Sequence, residues 1–434
     1  MKSIASLSLE PRLKRRYRTL VQSHMRCAPA LAAGVGSLPK VSSSFAATQA
    51  GWRFLNNERI GLPALVEPLR KAGLSGTRRS RAGFVILAHD WCKLSFDHPR
   101  RKRDRVQLTH STDVGYEMTT ALLINAENGG PLAPMEMHLK TARGLLSTRH
   151  PAPRARHHLE QVLPTMKAAR SWGLPKPILH VIDREADSVD HYRQWDANGH
   201  IFLIRASDRR VRWNGESVLL GEIARTLQRR KKLERSGKAT YQGRDAQLWV
   251  VETMAILHRP AKKNVRGKKF QRPGRALRLR FIILQLRNQA SGVLAQWMLL
   301  SNAPSTWATA QTLARCYYWR WRIESFFKLL KSHGQQLEQW QQRTGKAIAR
   351  RLLITSMACV VVWQLQANQS SASVKLKNTL VRLSGRQTKR YHPHTAPALL
   401  AGLWVLLSML SLLEHDELHQ LKRLAKKLLY VPWG

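Results

Sequence analysis

Acidic side chains are scarce in this sequence: 27 Asp and Glu stand against 73 Lys and Arg in 434 residues, a formal net charge of +46. That imbalance excludes an ordinary near-neutral surface and makes a polyanion the natural partner, nucleic acid first among them. A ribosomal-type or membrane-surface protein is the bland alternative. Cysteine is scarce too. Cys27, Cys92, Cys316 and Cys359 are scattered without metal-ligand spacing, which argues against a disulfide framework and for a reduced compartment, the cytoplasm. The apolar stretch near the C-terminus needs separate reading. No apolar segment with a cleavage site follows the basic run 12–18, so no signal peptide is expected. Residues 396–413 are uncharged and mostly apolar, near the lower length limit of a membrane span. Pro397 near the start and Glu414, Asp416 and Glu417 after it suit a buried helix in a helical end equally well. The rest is unlike a membrane protein, and no membrane partner is expected. There is no internal repeat.

What is present suffices for a sizeable core, with 43% hydrophobic residues and length for two or three domains. The first 75 or so residues are basic, and 45–57 suits short helices. They read as a small DNA-reading domain or as a helical cap with solvated basic residues. From Gly83 the pattern turns to buried strands: 84–88 runs into His89 and Asp90, and β-rich stretches follow at 117–125 and 135–141. A helix is expected over 157–172, stopped by Gly173 and Pro175. A strand at 177–183, a helix from about 186 to 197 and a strand at 201–204 come next. This order predicts an α/β sheet of mixed strand direction. Residues 205–301 are highly basic and strand-like, a β-rich insertion on the main sheet. Its basic runs at 229–232 and 262–269 favour a phosphate-tracking surface over plain solvated loops. Segments 348–366 and 397–424 are helical in pattern and read as a separate helical end.

One helix organises the functional reading. In 317–331, Tyr317, Arg320, Glu324 and Lys331 fall within an arc of about 60° at helical spacing. Trp319, Ile323, Phe326, Phe327 and Leu330 gather about a third of a turn away, so an apolar stripe can dock while the polar face lines a cleft. Because acids are scarce, Asp90 and Asp183 at strand ends and Glu324 on this helix stand out. Two or three carboxylates suit Mg²⁺ or Mn²⁺, which take oxygen ligands and leave positions for phosphate and water. Two such ions can clamp the attacking and leaving oxygens of a phosphoryl displacement. Each acid also has a structural reading: Asp183 as a helix cap or ion-pair partner, Glu324 as a surface pair with Lys328. Glu185 and Asp187 read as first-turn helix acids.

The spacing Tyr-x-x-Arg-x-x-x-Glu-x-x-x-x-x-x-Lys at Tyr317, Arg320, Glu324 and Lys331 resembles the YREK signature of the insertion-sequence-four family of DDE transposases, the transposon-five-like enzymes. Asp183-Arg-Glu-Ala-Asp187 resembles that family's second-acid motif and His89-Asp90 its first, so the similarity runs from about residue 45 to 364. The resemblance implies a ribonuclease-H-like catalytic core with a β-rich insertion, plus helical N-terminal and C-terminal regions. It gives a DNA-end-binding region at 1–75, a catalytic domain at 76–345 with the insertion at about 205–301, and a C-terminal region at 346–434 for dimerisation. Asp90, Asp183 and Glu324 are then the metal-binding catalytic acids, with Mg²⁺ or Mn²⁺ as cofactor. Tyr317, Arg320 and Lys331 contact transposon-end phosphates, and Trp297 falls near the place of an aromatic that stacks on a flipped base. The implied activity is strand cleavage at transposon ends and transfer into target DNA, by a homodimer in a synaptic complex, in the bacterial cytoplasm at the nucleoid. A non-catalytic DNA-binding protein derived from a transposase, or a metal nuclease of the same fold, are the alternatives.

Overall fold

The computed structural model describes residues 8–26, 43–97, 99–110, 112–153, 157–230, 232–265, 268–332, 334–388, 393–414 and 417–429. Cys27, Asp416 and the side chains of the basic run 262–269 lie outside the described residues. Three helices come first: α1 (Pro11–Arg26), α2 (Ser43–Asn56) and α3 (Leu62–Arg79). In α3, Leu62, Leu65, Val66 and Leu69 recur at helical spacing and are buried, while Arg78 and Arg79 sit in the last turn, where the helix dipole favours cations.

The strands β1 (Val85–Leu94), β2 (Val106–Gln107), β3 (Val114–Asn125), β4 (Pro131–Thr141) and β5 (Gly144–Ser147) follow. After them come α4 (Val162–Ala169), β6 (Ile178–Ile182), α5 (Val189–Ala197) and β7 (Ile201–Arg205). Their order across the sheet is β5-β4-β3-β1-β6-β7. β1 is antiparallel to β3 but parallel to β6, and β6 is parallel to β7. An antiparallel meander joined through helices to two parallel strands is the arrangement expected of a ribonuclease-H-like core. Val85, Ile86, Leu87 and Ala88 are fully buried, because helices cover both faces of central strands, and such strands read as apolar runs without alternation.

The chain then extends the same sheet through β8 (Arg210–Trp213), β9 (Glu216–Leu219), α6 (Leu220–Arg229), β10 (Glu234–Tyr241) and β11 (Arg244–Leu257). It continues with β12 (Ala261–Val265), β13 (Lys268–Arg272), β14 (Leu277–Arg287) and β15 (Val293–Ser301). β15 pairs antiparallel with β7, carrying β14, β11, β8 and β9 onto one 13-stranded sheet, while β12 and β13 form a separate ribbon. The sequence reading has no helix at α6. Its Ile223, Ala224 and Leu227 bury one face against the sheet while arginines occupy the other, a pattern that Arg-rich composition disguises as a turn.

The remaining helices are α7 (Ala310–Trp319), α8 (Trp321–Leu330), α9 (Gly345–Ala367), α10 (Ser371–Leu383), α11 (Ala396–Leu413) and α12 (Leu418–Leu429). α9 packs against β4 and α3 as well as α1, α2 and α11, so it joins the N-terminal helices in one layer instead of forming a separate end. The reason is its all-round apolar surface, which needs cover on every side. Two arginines are buried with it: Arg350 donates to Leu55 O at 2.7 Å and Ile60 O at 3.0 Å, and Arg351 donates to Gln342 Oε1 at 2.8 Å. α9 is the one helix among the described residues long and apolar enough to cross a membrane, and it is 83% buried inside the protein. α11 is buried only at its start, at Ala398, Leu399 and Leu400, and exposes Met409 and Leu410 further on.

Candidate active site

Parallel pairing sets two of the acids side by side. Val85 to His89 of β1 register with Ile178 to Ile182 of β6, so the next residues, Asp90 and Asp183, come side by side where that pairing stops. Asp183 lies just past its strand, whereas Asp90, expected at a strand end, sits inside β1, which runs on to Leu94 paired with β3. The carboxyl ends of parallel strands are where open α/β sheets bind ligands.

The third acid arrives on a broken helix. The continuous helix expected over 317–331 is interrupted at Arg320. Its N–H bonds Tyr317 O and the Ile323 N–H bonds Arg320 O, both at 3.0 Å, which are three-residue steps in place of four. The break lies against the turn between β3 and β4. Gly129 there has φ +70, a Cβ on it would sit 2.4 Å from the Trp319 ring, and its carbonyl accepts from Arg322 Nε at 3.0 Å.

Arg320 then meets all three acids. Nη1 donates to Asp90 Oδ2 at 2.9 Å, and Nη2 donates to Glu324 Oε1 at 2.7 Å and lies 3.6 Å from Asp183 Oδ2. The Tyr317 hydroxyl donates to Asp183 Oδ1 at 3.0 Å, and Arg205 Nη1 is 3.8 Å from the same oxygen. Burial pushes the Asp90 carboxyl up to about 6, with Glu324 and Asp183 adding to it and Arg320 opposing. Asp183 goes the other way. Burial would raise it, but Arg320, the Arg184 N–H and the Tyr317 hydroxyl hold it below the usual carboxylate range.

The structure thus brings Asp90, Asp183, Glu324, Tyr317 and Arg320 together, with differences from what the sequence suggests. Tyr317 and Arg320 are 2% and 3% exposed, so they face the acids and not an open surface where phosphate would lie. Three carboxylates attract a guanidinium more strongly than solvent does. Lys331 closes α8 and donates from Nζ to Lys93 O at 2.5 Å, off the acid cluster. Trp297 is also covered. Its ring centroid is 5.3 Å from that of Trp321 and 6.0 Å from that of Tyr317, and Tyr241 closes the group. Of these rings Trp321 and Tyr241 are the partly exposed ones.

Sequence reasoning missed a second polar cluster beside the first. His158 lies between Glu117, 3.2 Å from Nδ1, and Glu185, 2.8 Å from Nε2, and its ring stacks on Trp91 at 4.2 Å. The adjacent His157-His158 pair was the available signal. Glu185 is therefore more than a first-turn acid. Asp187 is tied into the fold, pairing with Arg209 and the Tyr192 hydroxyl and accepting from the Ser207 N–H at 2.7 Å. Histidines also run through the sheet: His89 Nε2 is 3.0 Å from His180 Nδ1, and burial holds His89 down to about 3.

The family model for a transposase DDE domain matches residues 137–361, just over half of the chain. The chain belongs to the DDE-domain transposases. The matched stretch of this transposase contains Asp183, Tyr317, Arg320 and Glu324 and begins beyond Asp90. Among solved structures, the chain is similar to a piggyBac transposase in a synaptic complex with hairpin DNA. That match has 12% identity and a TM-score of 0.38, and it covers 96% of this chain and 75% of the other. No curated protein matches the sequence.

Proposed function

We propose that this transposase is of the insertion-sequence-four type, cutting DNA at the ends of its element and joining the freed 3′ hydroxyls to target DNA by cut-and-paste. The observation that supports this reading is the meeting of Asp90, Asp183 and Glu324 on one guanidinium. In this proposal the three acids would hold Mg²⁺ or Mn²⁺. The donor set fits, since carboxylate oxygens suit hard cations. A positive charge is already accommodated among them, with Arg320 Nε buried and lacking a hydrogen-bond partner among the described residues. The metal supplies activation of the attacking water or hydroxyl and neutralisation of phosphate charge.

The chain's own residues prepare the site. Sheet pairing with β3 fixes the backbone of Asp90 and holds β6 up to the residue before Asp183, and the Tyr317 hydroxyl orients Asp183 by donating to Oδ1. Arg320 must release the three carboxylates. A DNA phosphate is the natural acceptor for its planar fork, which is how Tyr317, Arg320 and Lys331 would come to bind transposon ends. Trp297 would leave its aromatic cover to stack on a flipped base. In the same reading, residues 1–75 recognise the ends, 76–345 with the insertion at about 205–301 form the catalytic domain, and 346–434 join two copies in a synaptic dimer. The net charge of +46 supplies sequence-independent DNA affinity with a steep salt dependence, in the cytoplasm at the nucleoid.

The test is Glu324→Ala. Strand cleavage of supercoiled DNA in Mg²⁺ should vanish while the gel shift of the same DNA remains, and a variant that still cleaves would overturn the reading.

A further inference from the structure

We propose a second metal site, apart from the three-acid cluster, in which His157, His158 and Glu185 bind a transition ion of the Zn²⁺ class. One ligand atom from each lies within 4.8 Å of the others. Two imidazoles and one carboxylate suit Zn²⁺ or Co²⁺ and do not suit Mg²⁺, which takes oxygen.

The surroundings already orient each ligand. His158 presents Nε2 to Glu185 Oε1 at 2.8 Å, while Nδ1 faces Glu117 Oε2 at 3.2 Å. A carboxylate behind a histidine is the outer-shell arrangement that fixes ring and tautomer in zinc sites. Stacking on Trp91 at 4.2 Å and 23° holds the same ring. The Trp91 indole N–H donates to Glu185 Oε2 at 2.8 Å, leaving Oε1 for the ion. His157 Nδ1 accepts only a long contact from the Leu159 N–H at 3.3 Å, which the ring can give up to offer a nitrogen lone pair to the ion. Metal bonds of about 2.1 Å require donor atoms about 3.4 Å apart. His158 Nε2 and Glu185 Oε1, 2.8 Å apart, must therefore part slightly while His157 draws in, and as an exposed side chain His157 can do so cheaply. Lys140, paired across from Glu117 in β4, is a cation acting on both Glu117 and His157, and its charge opposes an ion here.

An ion here would clamp four pieces of chain: β1 through Trp91, β3 through Glu117, the turn before α4, and the turn after Asp183. Trp91 follows Asp90 directly, and Glu185 is two residues from Asp183. The site would thus fix the backbones that carry two of the acids. The inference does not depend on how those acids are used.

The test uses the full chain stripped with EDTA and titrated with Co²⁺, reading the visible absorption of tetrahedral cobalt, with Zn²⁺ competition for stoichiometry. One equivalent should give the band in the wild type and in Glu324→Gln alike. His157→Ala, chosen because its side chain is exposed, should weaken Co²⁺ binding about tenfold or more with the far-ultraviolet spectrum unchanged. Glu117→Gln should weaken it about 10–100-fold. Absence of the band in the wild type overturns the proposal. So does a band that survives His157→Ala and is lost in Glu324→Gln.

Discussion

Two sets of carboxylates lie side by side at one end of the β1–β6 pair, and each closes around one cationic side chain. Asp90, Asp183 and Glu324 surround Arg320. Glu117 and Glu185 flank His158. The charge pattern is alike but the means of release differ. A guanidinium does not deprotonate in proteins, so the first set is freed only when Arg320 moves. An imidazole can lose its proton near neutrality, so the second set is vacated in place and the ring itself becomes a ligand. One site is gated by conformation, the other by chemistry.

Removing Arg320 should produce the largest effect. Arg320→Ala leaves Asp90 and Asp183 facing each other with only Arg205, 3.8 Å from Asp183, as a cation, a loss of about 3 kcal/mol. That is the low end for breaking a buried pair, because Glu324 is 44% exposed and relaxes into water. Denaturant unfolding in EDTA measures it, and adding Mn²⁺ should restore more stability to the variant than to the wild type. A variant as stable as the wild type in EDTA would mean that the guanidinium does not hold the acids together.

Gly129→Ala should come next and should separate the two sets. The added Cβ meets the Trp319 ring, and φ +70 strains any L side chain, together about 2 to 3 kcal/mol. The strain falls on the break between α7 and α8 that aims Arg320. Unfolding should shift while the His158 imidazole resonance stays put. A moved His158 resonance would show the two clusters to be one mechanical unit.

The pH dependence distinguishes them in solution. The Asp90 carboxyl is raised from its ordinary 3.8 to about 6 in the folded protein. The stability it contributes is therefore present below about pH 4 and lost as pH rises through about 6, on the order of 2 kcal/mol. Burial alone would lower His158, but hydrogen bonds and charge from Glu117 and Glu185 lift it above its ordinary 6.5. Its contribution is present below 6.5 and fades as pH climbs past the raised value. Asp183 and Glu117 are held low and act with the opposite sign, stabilising above pH 4 to 5 and losing that as pH falls. Unfolding free energy against pH in EDTA should thus lose its decline near 6 in Asp90→Asn and its later decline in His158→Gln. Parallel curves for all three proteins would refute the assignment of either window.

What the sequence made legible follows from how local each cause is. Apolar runs at 84–88 and 177–182 announce covered strands, and Asp183 falls just past its strand as expected, whereas β1 runs on through Asp90 to Leu94 because its polar half still pairs with β3. The helix 317–331 was legible as an amphipathic pattern, but not its break, which lies against Gly129, far away in sequence, whose missing side chain leaves room for the Trp319 ring. The orientation of Arg320 was illegible for the same reason. Spacing puts Tyr317, Arg320 and Glu324 on one face, yet only the folded sheet shows that the face looks onto two more acids. α6 was hidden by arginines on its outer face, and the cover over Trp297 comes from Tyr241 in β10 and Trp321 in α8. The His158 cluster draws on four separate segments, and no window of sequence contains more than two of its members.

The smallest effect should come from the outer carboxylate of that cluster. Glu185 is 53% exposed and Glu117 19%, so water screens the first far more than the second. In EDTA, Glu185→Gln should cost about 0.5 kcal/mol, the range of exposed pairs, since the amide oxygen can still accept from Trp91. Its clearer signature is the His158 imidazole, whose titration by proton NMR should move down toward the ordinary value. Glu117→Gln should move it further, because a buried carboxylate interacts with the ring through fewer waters. Should Glu185→Gln produce the larger shift, His158 would be governed from the solvent side. The contrast with the buried Arg320 would then be one of exposure and not of the cation's chemistry.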